Sequence, residues 1–431
     1  MSLARGTSLS MIRQPVTTST LGLAVMWQRP RELLSANLPL SPSFTPTPGV
    51  QPGSDEFEKL LDGENVPVSE MGKITWLVDG KRFFPEFQKQ IAGARSSIDV
   101  QVFIYDNDDI AVRYSEMIKK RSADVPTRVL FDDLGSVMAW KSAPETPLPA
   151  GFKPPTSMVN HLREGSQVQV RRMLNPWMVC DHSKLHIFDH RVALMGCMNI
   201  GREYYSEWHD LMFRVEGPVV ARLQEDFNRS WHKAGPAGIF SVFKKEPTPV
   251  QPPNVGGQIP LLVIRTDPPA GRNEIRKSML LAIRAARERI WIENPYIAND
   301  DVIEELEEAA RRGVDVRVVI PSKNDSTIMD ISNKAFANKL IKAGGRAYEY
   351  PRMTHMKVMI CDGWATVGSA NLDTLSLRIN RELNLAFNDR AEVNRLIDQV
   401  FKPDFRVSKR RTVKDDVSPT APVAEAIADQ L

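Results

Sequence analysis

Residues 91–109 read IAGARSSIDVQVFIYDNDD, and residues 283–301 read IRAARERIWIENPYIANDD. The two stretches align without a gap at an offset of 283 − 91 = 192 residues. In each, a helix-like segment leads into a β-branched and aromatic run. Each then reaches Asn-Asp-Asp, which is typical of the cap of a second helix. The chain therefore carries one structural unit twice, and a repeat of this kind determines how the rest of the fold is interpreted.

Each copy continues into a further strand-like run, so each half reads helix, strand, helix, strand. This alternation predicts an α/β fold with helices covering a sheet. Proline-rich stretches mark the boundaries. We expect an extension at 1–53, a first domain at 54–246, a linker at 247–260, a second domain at 261–407 and a disordered tail at 408–431.

The composition is that of a globular protein. Of 431 residues, 42% are hydrophobic and 25% charged, which excludes collagen, a low-complexity polymer and a fully disordered chain. The net charge of 56 − 53 = +3 gives no argument for a nucleic-acid partner. Three cysteines without a C-x-x-C pair do not make a disulfide framework or a zinc site. No run of 18 apolar residues predicts a transmembrane helix.

The two ends of the chain are weakly informative. Residues 1–30 contain arginine, serine and threonine but no acid, which fits either a weak targeting segment or a disordered extension, and we favour the extension. The basic run 409–411 could touch anionic lipid, but a solvated tail is the simpler interpretation.

A second duplication carries the chemistry. Residues 182–189 read HSKLHIFD and residues 355–362 read HMKVMICD, so both fit the pattern HxKx4D, where x is any residue. One copy is a weak signal, but two copies on a duplicated chain are a strong one. The pattern residues are His182, Lys184, Asp189, His355, Lys357 and Asp362.

Each copy is followed by Gly-x-x-Asn and then by an acid at nearly the same distance. The first acid lies 28 residues after its histidine and the second lies 27 residues after its own. The glycine should allow close backbone approach at a strand end. These matched residues are Gly196, Asn199 and Asp210 in the first copy, and Gly368, Asn371 and Glu382 in the second.

A His-x-Lys pair on a strand projects both side chains from one face. If the halves pack symmetrically, two histidines, two lysines and two asparagines converge. Such a site suits a phosphodiester, because ammonium and amide groups can stabilise the transition-state charge without a metal. We therefore expect no cofactor and no metal. The predicted substrate-binding residues are Lys184, Asn199, Lys357, Ser369 and Asn371.

The two imidazoles divide the catalytic work in this prediction. One, when neutral, attacks phosphorus and forms a phosphohistidine, and the other, when protonated, serves the leaving and incoming hydroxyls. Each imidazole needs a carboxylate on its other nitrogen, and Asp210 and Glu382 are the candidates. Asp189 and Asp362 complete the motif set and are expected to hold strand and loop geometry.

Several reactive residue types have no matched counterpart, and we interpret them as packed structural residues. The cysteines beside the motifs are read as small buried apolar side chains. These residues are His161, His186, His190, His209, His232, Cys180, Cys197 and Cys361.

The HxKx4D and Gly-x-x-Asn motifs resemble those of the phospholipase D superfamily over about residues 70–405. Within it the chain is most similar to bacterial cardiolipin synthases of the short type without transmembrane helices. The supporting stretches are NIGREY at 199–204, WHD at 208–210, VEGPVV at 215–220, PSKND at 321–325, YEY at 348–350 and WATVGSANLDTLSL at 364–377.

The resemblance implies two similar α/β domains with pseudo-twofold symmetry, each a mixed sheet flanked by helices. It implies a metal-independent ping-pong mechanism with His182 as nucleophile and His355 as general acid/base. It also implies a phosphatidyltransferase making cardiolipin and glycerol from two phosphatidylglycerols. The phospholipid partner would be met at the surface of a bacterial inner membrane by peripheral contact.

Alternatives share the same residues. Water could take the phosphatidyl group, which would make the protein a phospholipase D. A metal-independent nuclease fits less well, because nuclease grooves need several phosphate contacts. The chain departs from the family pattern at Cys197, where glycine or serine is usual. It also departs at the proline-rich insertion 144–155, and residues 173–179 could form a lipid-facing lip or pack in the core.

Overall fold

The computed structural model describes residues 49–413, apart from 143, 175–178, 237 and 239–249, with a few isolated positions nearer the termini. Most of the predicted extension and tail, and the centre of the predicted lip, lie outside the described residues.

The strands of both halves form one mixed sheet. They are β1 Glu70–Val78, β2 Ile98–Val102, β3 Thr127–Asp132, β4 Gln169–Met173, β5 Leu185–Phe188, β6 Val192–Gly196, β7 Leu211–Glu216, β8 Ile259–Asp267, β9 Arg272–Asn273, β10 Arg289–Glu293, β11 Asp315–Pro321, β12 Arg346–Tyr350, β13 Val358–Cys361, β14 Trp364–Gly368, β15 Glu382–Phe387 and β16 Lys409–Arg410.

The order of the strands repeats. The first half reads β1-β7-β6-β5-β2-β3-β4 and the second reads β8-β15-β14-β13-β10-β11-β12. In the first half β2, β3 and β4 run parallel to one another, and in the second half β10, β11 and β12 do the same. The other neighbouring strands within each half pair antiparallel. β1 and β8 join the halves antiparallel, with Glu70 opposite Leu261. The predicted pair of similar α/β units with pseudo-twofold symmetry is confirmed.

Helices cover the sheet. They are α1 Asp55–Gly63, α2 Gly80–Gly93, α3 Asp109–Arg121, α4 Asp133–Ala139, α5 Met158–Arg163, α6 Val219–Lys233, α7 Glu274–Ala285, α8 Asp300–Arg311, α9 Thr327–Lys342, α10 Arg390–Leu396 and α11 Lys402–Val407. Short π-helical turns at Glu203–Glu207 and Leu375–Ile379 occupy equivalent places in the two halves.

The Asn-Asp-Asp stretches do cap helices, as predicted. The side chain of Asp108 accepts a hydrogen bond from Ala111 N–H at the start of α3. Asn299 does the same for Val302 N–H at the start of α8. The oxygen of each side chain satisfies a backbone donor that the first helical turn leaves free.

Three apolar clusters hold the layers together. One lies under the outer helices of the first half, around Phe83 and Val100. Another does the same in the second half, around Ile283 and Ile292. The third runs across the join, where Phe213 packs in the same cluster as residues of β13 and β15. A shared core of this kind ties the two halves into one structural body.

The predicted boundaries need two corrections. Helix α1, which the sequence assigned to the first domain, packs on the second half, where Phe57 meets Trp364 with ring centroids 6.2 Å apart. Lys409–Arg410, assigned to the tail, form strand β16 against β12, and Arg411 pairs with Glu349. Both contacts join segments that are far apart in the sequence. Apolar side chains pack together at α1, and opposite charges pair at Arg411 and Glu349. Among the described residues, no helix has the length and apolarity needed to cross a bilayer.

Candidate active site

The two HxKx4D motifs enter the sheet in the same way. His182 and Lys184 lie in the extended segment that leads into β5, and His355 and Lys357 lie in the one that leads into β13. The paired strand begins one residue after each lysine, later than predicted. Each lysine donates a hydrogen bond to the carbonyl oxygen of its own histidine, at 2.6 Å for Lys184 and 2.7 Å for Lys357.

The catalytic histidine candidates take their carboxylate partners from opposite halves. His182 Nδ1 lies 3.0 and 3.1 Å from the two carboxylate oxygens of Glu382. His355 Nδ1 lies 2.8 Å from Asp210 Oδ2. Both acids are fully buried. A carboxylate on Nδ1 favours the tautomer that carries its proton there, which leaves Nε2 of each ring free for chemistry.

Burial dominates the electrostatics of the pairs. It lowers the pKa of both histidines well below the usual value, and the two lysine ammonium groups lower it further. Burial also raises the pKa of Asp210 to about 7 and that of Glu382 to about 8, while the lysines oppose the change. Neutral imidazoles are therefore favoured in the free site.

The lysines carry the positive charge of the site. Burial lowers the pKa of Lys184 to about 7, and it lowers that of Lys357 as well. The nearby carboxylates Asp210 and Glu382 act in the opposite direction on both. A phosphodiester anion would stabilise both ammonium groups, because an opposite charge at close range favours the charged form.

Asp189 and Asp362 contact the backbone and lie away from the imidazoles. Asp189 accepts hydrogen bonds from the N–H groups of residues 95–97. Asp362 accepts them from the N–H groups of residues 287–289. Both have positive φ, 54° and 48°, in the turn after their strand. The geometry matches the structural role expected of them.

The glycine of each Gly-x-x-Asn motif is needed for close packing, as predicted. A Cβ on Gly196 would lie 2.5 Å from the Leu211 carbonyl oxygen, and Gly196 has φ 146°. A Cβ on Gly368 would lie 2.3 Å from Asn384 Oδ1. Contacts this short are excluded for any real Cβ, so both sites require glycine.

The two asparagines are buried beside the motifs. The amide oxygen of Asn199 accepts from Ile104 N–H at 2.9 Å, so its NH2 group, which also hydrogen-bonds the Tyr204 side chain, is the donor side of the amide. The amide oxygen of Asn371 has no partner among the described residues. Both amides remain predicted phosphate contacts.

Ser369 and Cys197 break the symmetry of the site. Ser369 Oγ donates to Glu382 Oε2 at 2.5 Å, so it supports the acid that holds His182. The Cys197 thiol instead contacts the Gly368 carbonyl oxygen at 3.0 Å across the join. Burial raises the pKa of Cys197 to about 12, so its thiol stays protonated. The interpretation of Cys197 as a small buried residue agrees with this environment.

Aromatic rings enclose the histidines. Tyr204 and Trp208 lie in stretches that carry the family resemblance, whereas Phe103 was not singled out from the sequence. Phe103 lies 4.7 Å from the His182 ring, measured between centroids. Tyr204 and Trp208 lie 5.6 and 5.3 Å from the His355 ring. Such walls exclude water from the reacting atoms and strengthen the charges inside. The aromatic residue just after β2 was the available signal for Phe103.

The proline-rich insertion lies against this wall. The backbone N–H groups of Glu145 and Thr146 donate to the carboxylate of Glu207, and Trp208 Nε1 donates to Glu145. Glu203, next to Tyr204, has its pKa raised to about 8 by burial and by Asp106. The insertion therefore contributes to one side of the site.

The prediction that the unmatched histidines are simply packed residues is wrong for His209. His186 is buried between Phe83 and Phe87 as expected, and burial lowers its pKa to about 3. His209 differs, because it lies between the carboxylates of Asp79 and Asp404. Its pKa is raised to about 10: these contacts outweigh burial, which by itself lowers it. His209 is thus a buried imidazole held between two carboxylates, directly before Asp210.

Both halves of the chain match a known protein family. The family described as "Cardiolipin synthase, PLD-like domain" matches residues 87–231 and 279–405, one segment in each half. The chain belongs to this phospholipase D-like family. Membership makes it a phosphatidyltransferase enzyme of the phospholipase D superfamily.

Relatives in the family are similar over most of the chain. Cardiolipin synthase A of Pseudomonas aeruginosa (strain LESB58) is 31% identical over 382 residues, covering 84% of this chain and 73% of its own length. A probable cardiolipin synthase of Bacillus subtilis (strain 168) is 28% identical over 396 residues, covering 87% and 73%. Phosphatidylserine synthase of Haemophilus influenzae shares the fold, with a TM-score of 0.66 at 13% identity over 86% of this chain and 99% of that one.

Proposed function

We propose that this protein transfers a phosphatidyl group from one phosphatidylglycerol to another and releases glycerol, which yields cardiolipin. The observation that carries the proposal is the pair of crossed His–carboxylate contacts, His182–Glu382 and His355–Asp210, beside two buried lysines. The cardiolipin synthases among its relatives support the choice of lipid.

The first half-reaction forms a phosphohistidine. Nε2 of His182 attacks phosphorus, and the bond from phosphorus to the glycerol oxygen breaks. His355 gives its Nε2 proton to the departing oxygen. Lys184 and Lys357, with Asn199 and Asn371, neutralise the charge on the non-bridging oxygens in the transition state.

The second half-reaction reverses these roles. His355 removes the proton from a hydroxyl of the second phosphatidylglycerol, and that oxygen attacks phosphorus. The bond from phosphorus to His182 Nε2 breaks, so the enzyme returns to its starting state. Assignment of His182 as the nucleophile rests on the family resemblance, since the two pairs are built alike.

The protonation states suit this cycle. The free site favours neutral imidazoles, so a nucleophile is ready. The phosphodiester anion then raises the pKa of the second imidazole, which lets His355 hold the proton that the leaving oxygen needs. We propose that the protein meets its lipid by peripheral contact with a bacterial membrane.

The test is product analysis with vesicles of phosphatidylglycerol. Wild-type protein should form cardiolipin and glycerol in equal amounts, as measured by mass spectrometry. His182→Ala and His355→Ala should each remove turnover while leaving the fold intact. His190→Asn is the matched control, because His190 has φ 56°, which asparagine tolerates, and its Nδ1 lies 2.8 Å from Gln224 Oε1, outside the two HxKx4D motifs.

The products separate the alternatives. Phosphatidic acid without cardiolipin would mean that water is the acceptor and the protein is a phospholipase D. Cleavage of nucleic acid without any lipid product would support the nuclease. Substantial turnover in either histidine variant would contradict the shared site.

A further inference from the structure

A buried basic side chain precedes each of the two acids that hold the catalytic histidines. His209 stands before Asp210, and Arg381 stands before Glu382. Both are almost completely buried, at 4% exposure each. The duplicated site therefore carries one more matched pair, in which the residue types differ but both side chains contact carboxylates.

The backbone of His209 pairs directly with the second motif. Its N–H donates to the Met353 carbonyl oxygen at 2.8 Å, and its carbonyl oxygen accepts from His355 N–H at 2.7 Å. The next residue, Asp210, holds the His355 ring. One dipeptide thus fixes both the main chain and the imidazole of His355.

Arg381 does the same for the first motif. Its N–H donates to the Cys180 carbonyl oxygen at 2.8 Å, and its carbonyl oxygen accepts from His182 N–H at 2.9 Å. The next residue, Glu382, holds the His182 ring. The two arrangements are equivalent under the pseudo-twofold symmetry.

The side chains anchor these dipeptides to carboxylates. His209 Nδ1 lies 2.7 Å from Asp79 Oδ1 of the first half, and Nε2 lies 3.1 Å from Asp404 Oδ1 of the second. Its ring stacks on Tyr350 at 4.3 Å. Arg381 NH1 lies 2.7 Å from Asp181 Oδ2, and Nε lies 3.1 Å from Asp267 Oδ2. Each side chain joins segments from both halves.

We propose that His209 and Arg381 are positioning residues of the transfer reaction, each bridging carboxylates of both halves and so seating an acid of one half against the catalytic histidine of the other. The kinetic part of this inference rests on the proposed function. The side chains touch neither substrate nor imidazole, so their effect passes through Asp210 and Glu382. Loss of the bridging contacts should loosen the contact between each acid and Nδ1 of its catalytic histidine, and with it the tautomer of that ring.

The variants separate the bridging contacts from packing. His209→Gln cannot bridge Asp79 and Asp404 as the two ring nitrogens do, and His209→Arg restores a side chain that can donate to both carboxylates. The control is Arg128→Gln, which removes a partly buried arginine whose two nitrogens each lie 2.7 Å from an oxygen of Asp99, away from the join. If His209→Gln does not fold, Asp79→Asn weakens the same contact from its more exposed side.

The expected result is a fall in kcat of about 100-fold in His209→Gln, the order reached by a 1 Å misplacement of a reacting group. KM should stay within about twofold, because substrate contacts are retained. His209→Arg should recover most of kcat. Arg128→Gln should lower the melting temperature and leave kcat unchanged. A fall in melting temperature with unchanged kcat in His209→Gln would overturn the proposal.

A second readout needs no substrate. In 15N-histidine NMR spectra, His355→Ala assigns the His355 signal, and wild-type His355 should show the tautomer protonated at Nδ1. His209→Gln should give a mixture of tautomers at His355, and Arg381→Lys should leave the His182 tautomer as in the wild type. An unchanged His355 tautomer in His209→Gln refutes the inference even if phosphatidylglycerol proves not to be the substrate.

The side chains around His209 also allow a bound metal ion in place of the bridging imidazole. Glu293 and Asp404 lie near His209, and these three could together hold a divalent metal ion. Metal analysis of the purified protein should find less than stoichiometric zinc or manganese. One ion per chain, lost in Asp404→Asn, would replace the imidazole bridge by a metal and overturn the proposal.

Discussion

Glu382→Gln is the sharpest test of the crossed His–carboxylate pair. The two carboxylate oxygens lie 3.0 and 3.1 Å from His182 Nδ1, and the side chain is fully buried. Glutamine keeps the shape, but it places an NH2 group within reach of that nitrogen. The amide then favours Nδ1 as an acceptor, so the proton moves to Nε2, which can no longer attack phosphorus.

The expected size follows from the tautomer. The equivalent aspartate-to-asparagine change in serine-protease triads lowers kcat about 10⁴-fold. At 1.36 kcal/mol per factor of ten, this corresponds to about 5.4 kcal/mol of transition-state stabilisation. Ser369→Ala is the matched control. It removes one charge-assisted hydrogen bond to the same carboxylate. Loss of that bond should cost about 1.5–3 kcal/mol of transition-state stabilisation, which lowers kcat roughly 10–100-fold.

The assay is the initial rate of cardiolipin formation on phosphatidylglycerol vesicles, with kcat and KM determined separately. Circular dichroism melting should show that Glu382→Gln is folded. A folded Glu382→Gln protein that keeps more than about a tenth of wild-type kcat would refute the tautomer argument. So would a larger loss in Ser369→Ala than in Glu382→Gln.

Three further outcomes are expected. The rate should be bell-shaped between about pH 5 and 9, because one imidazole must be neutral and the other protonated when the phosphodiester is bound; a flat profile would contradict the acid/base pair. Asp189→Asn should lower the free energy of unfolding by about 2 kcal/mol in urea titrations, since a charged acceptor of backbone hydrogen bonds is lost. The pKa of Asp189 is lowered, so this stability is present above its unfolded pKa and disappears as pH falls through the folded one. EDTA should leave kcat unchanged, and strong inhibition would reveal a metal in the reaction.

Much of the fold was accessible from the sequence because the unit is written twice. The helix–strand pattern at 91–109 and 283–301 predicted the strands β2 and β10 and the caps of α3 and α8. Element boundaries were less accurate, since the strands after each HxK begin only at Leu185 and Val358. Backbone pairing of the histidine segments with the opposite half occupies the residues that would have extended those strands.

The matching of motifs also identified the candidate site residues, because each copy served as a control for the other. That same criterion missed His209. It was set aside for lack of a matching histidine, although Arg381 matches it in position. Comparing the residues that stand directly before the two matched acids would have found the pair.

The sequence by itself determined the chemical groups and their duplication: two imidazoles, two ammonium groups, two amides and two acids at matched spacing. The placement of these groups within each motif depends on short-range spacing along strands and turns, which the local sequence encodes. Only the tertiary structure decided that each histidine takes its acid from the other half, and that α1 packs on the second domain. Contacts of this kind join residues 200 positions apart for His182 and Glu382, and they depend on how two similar halves pack, which no local pattern records.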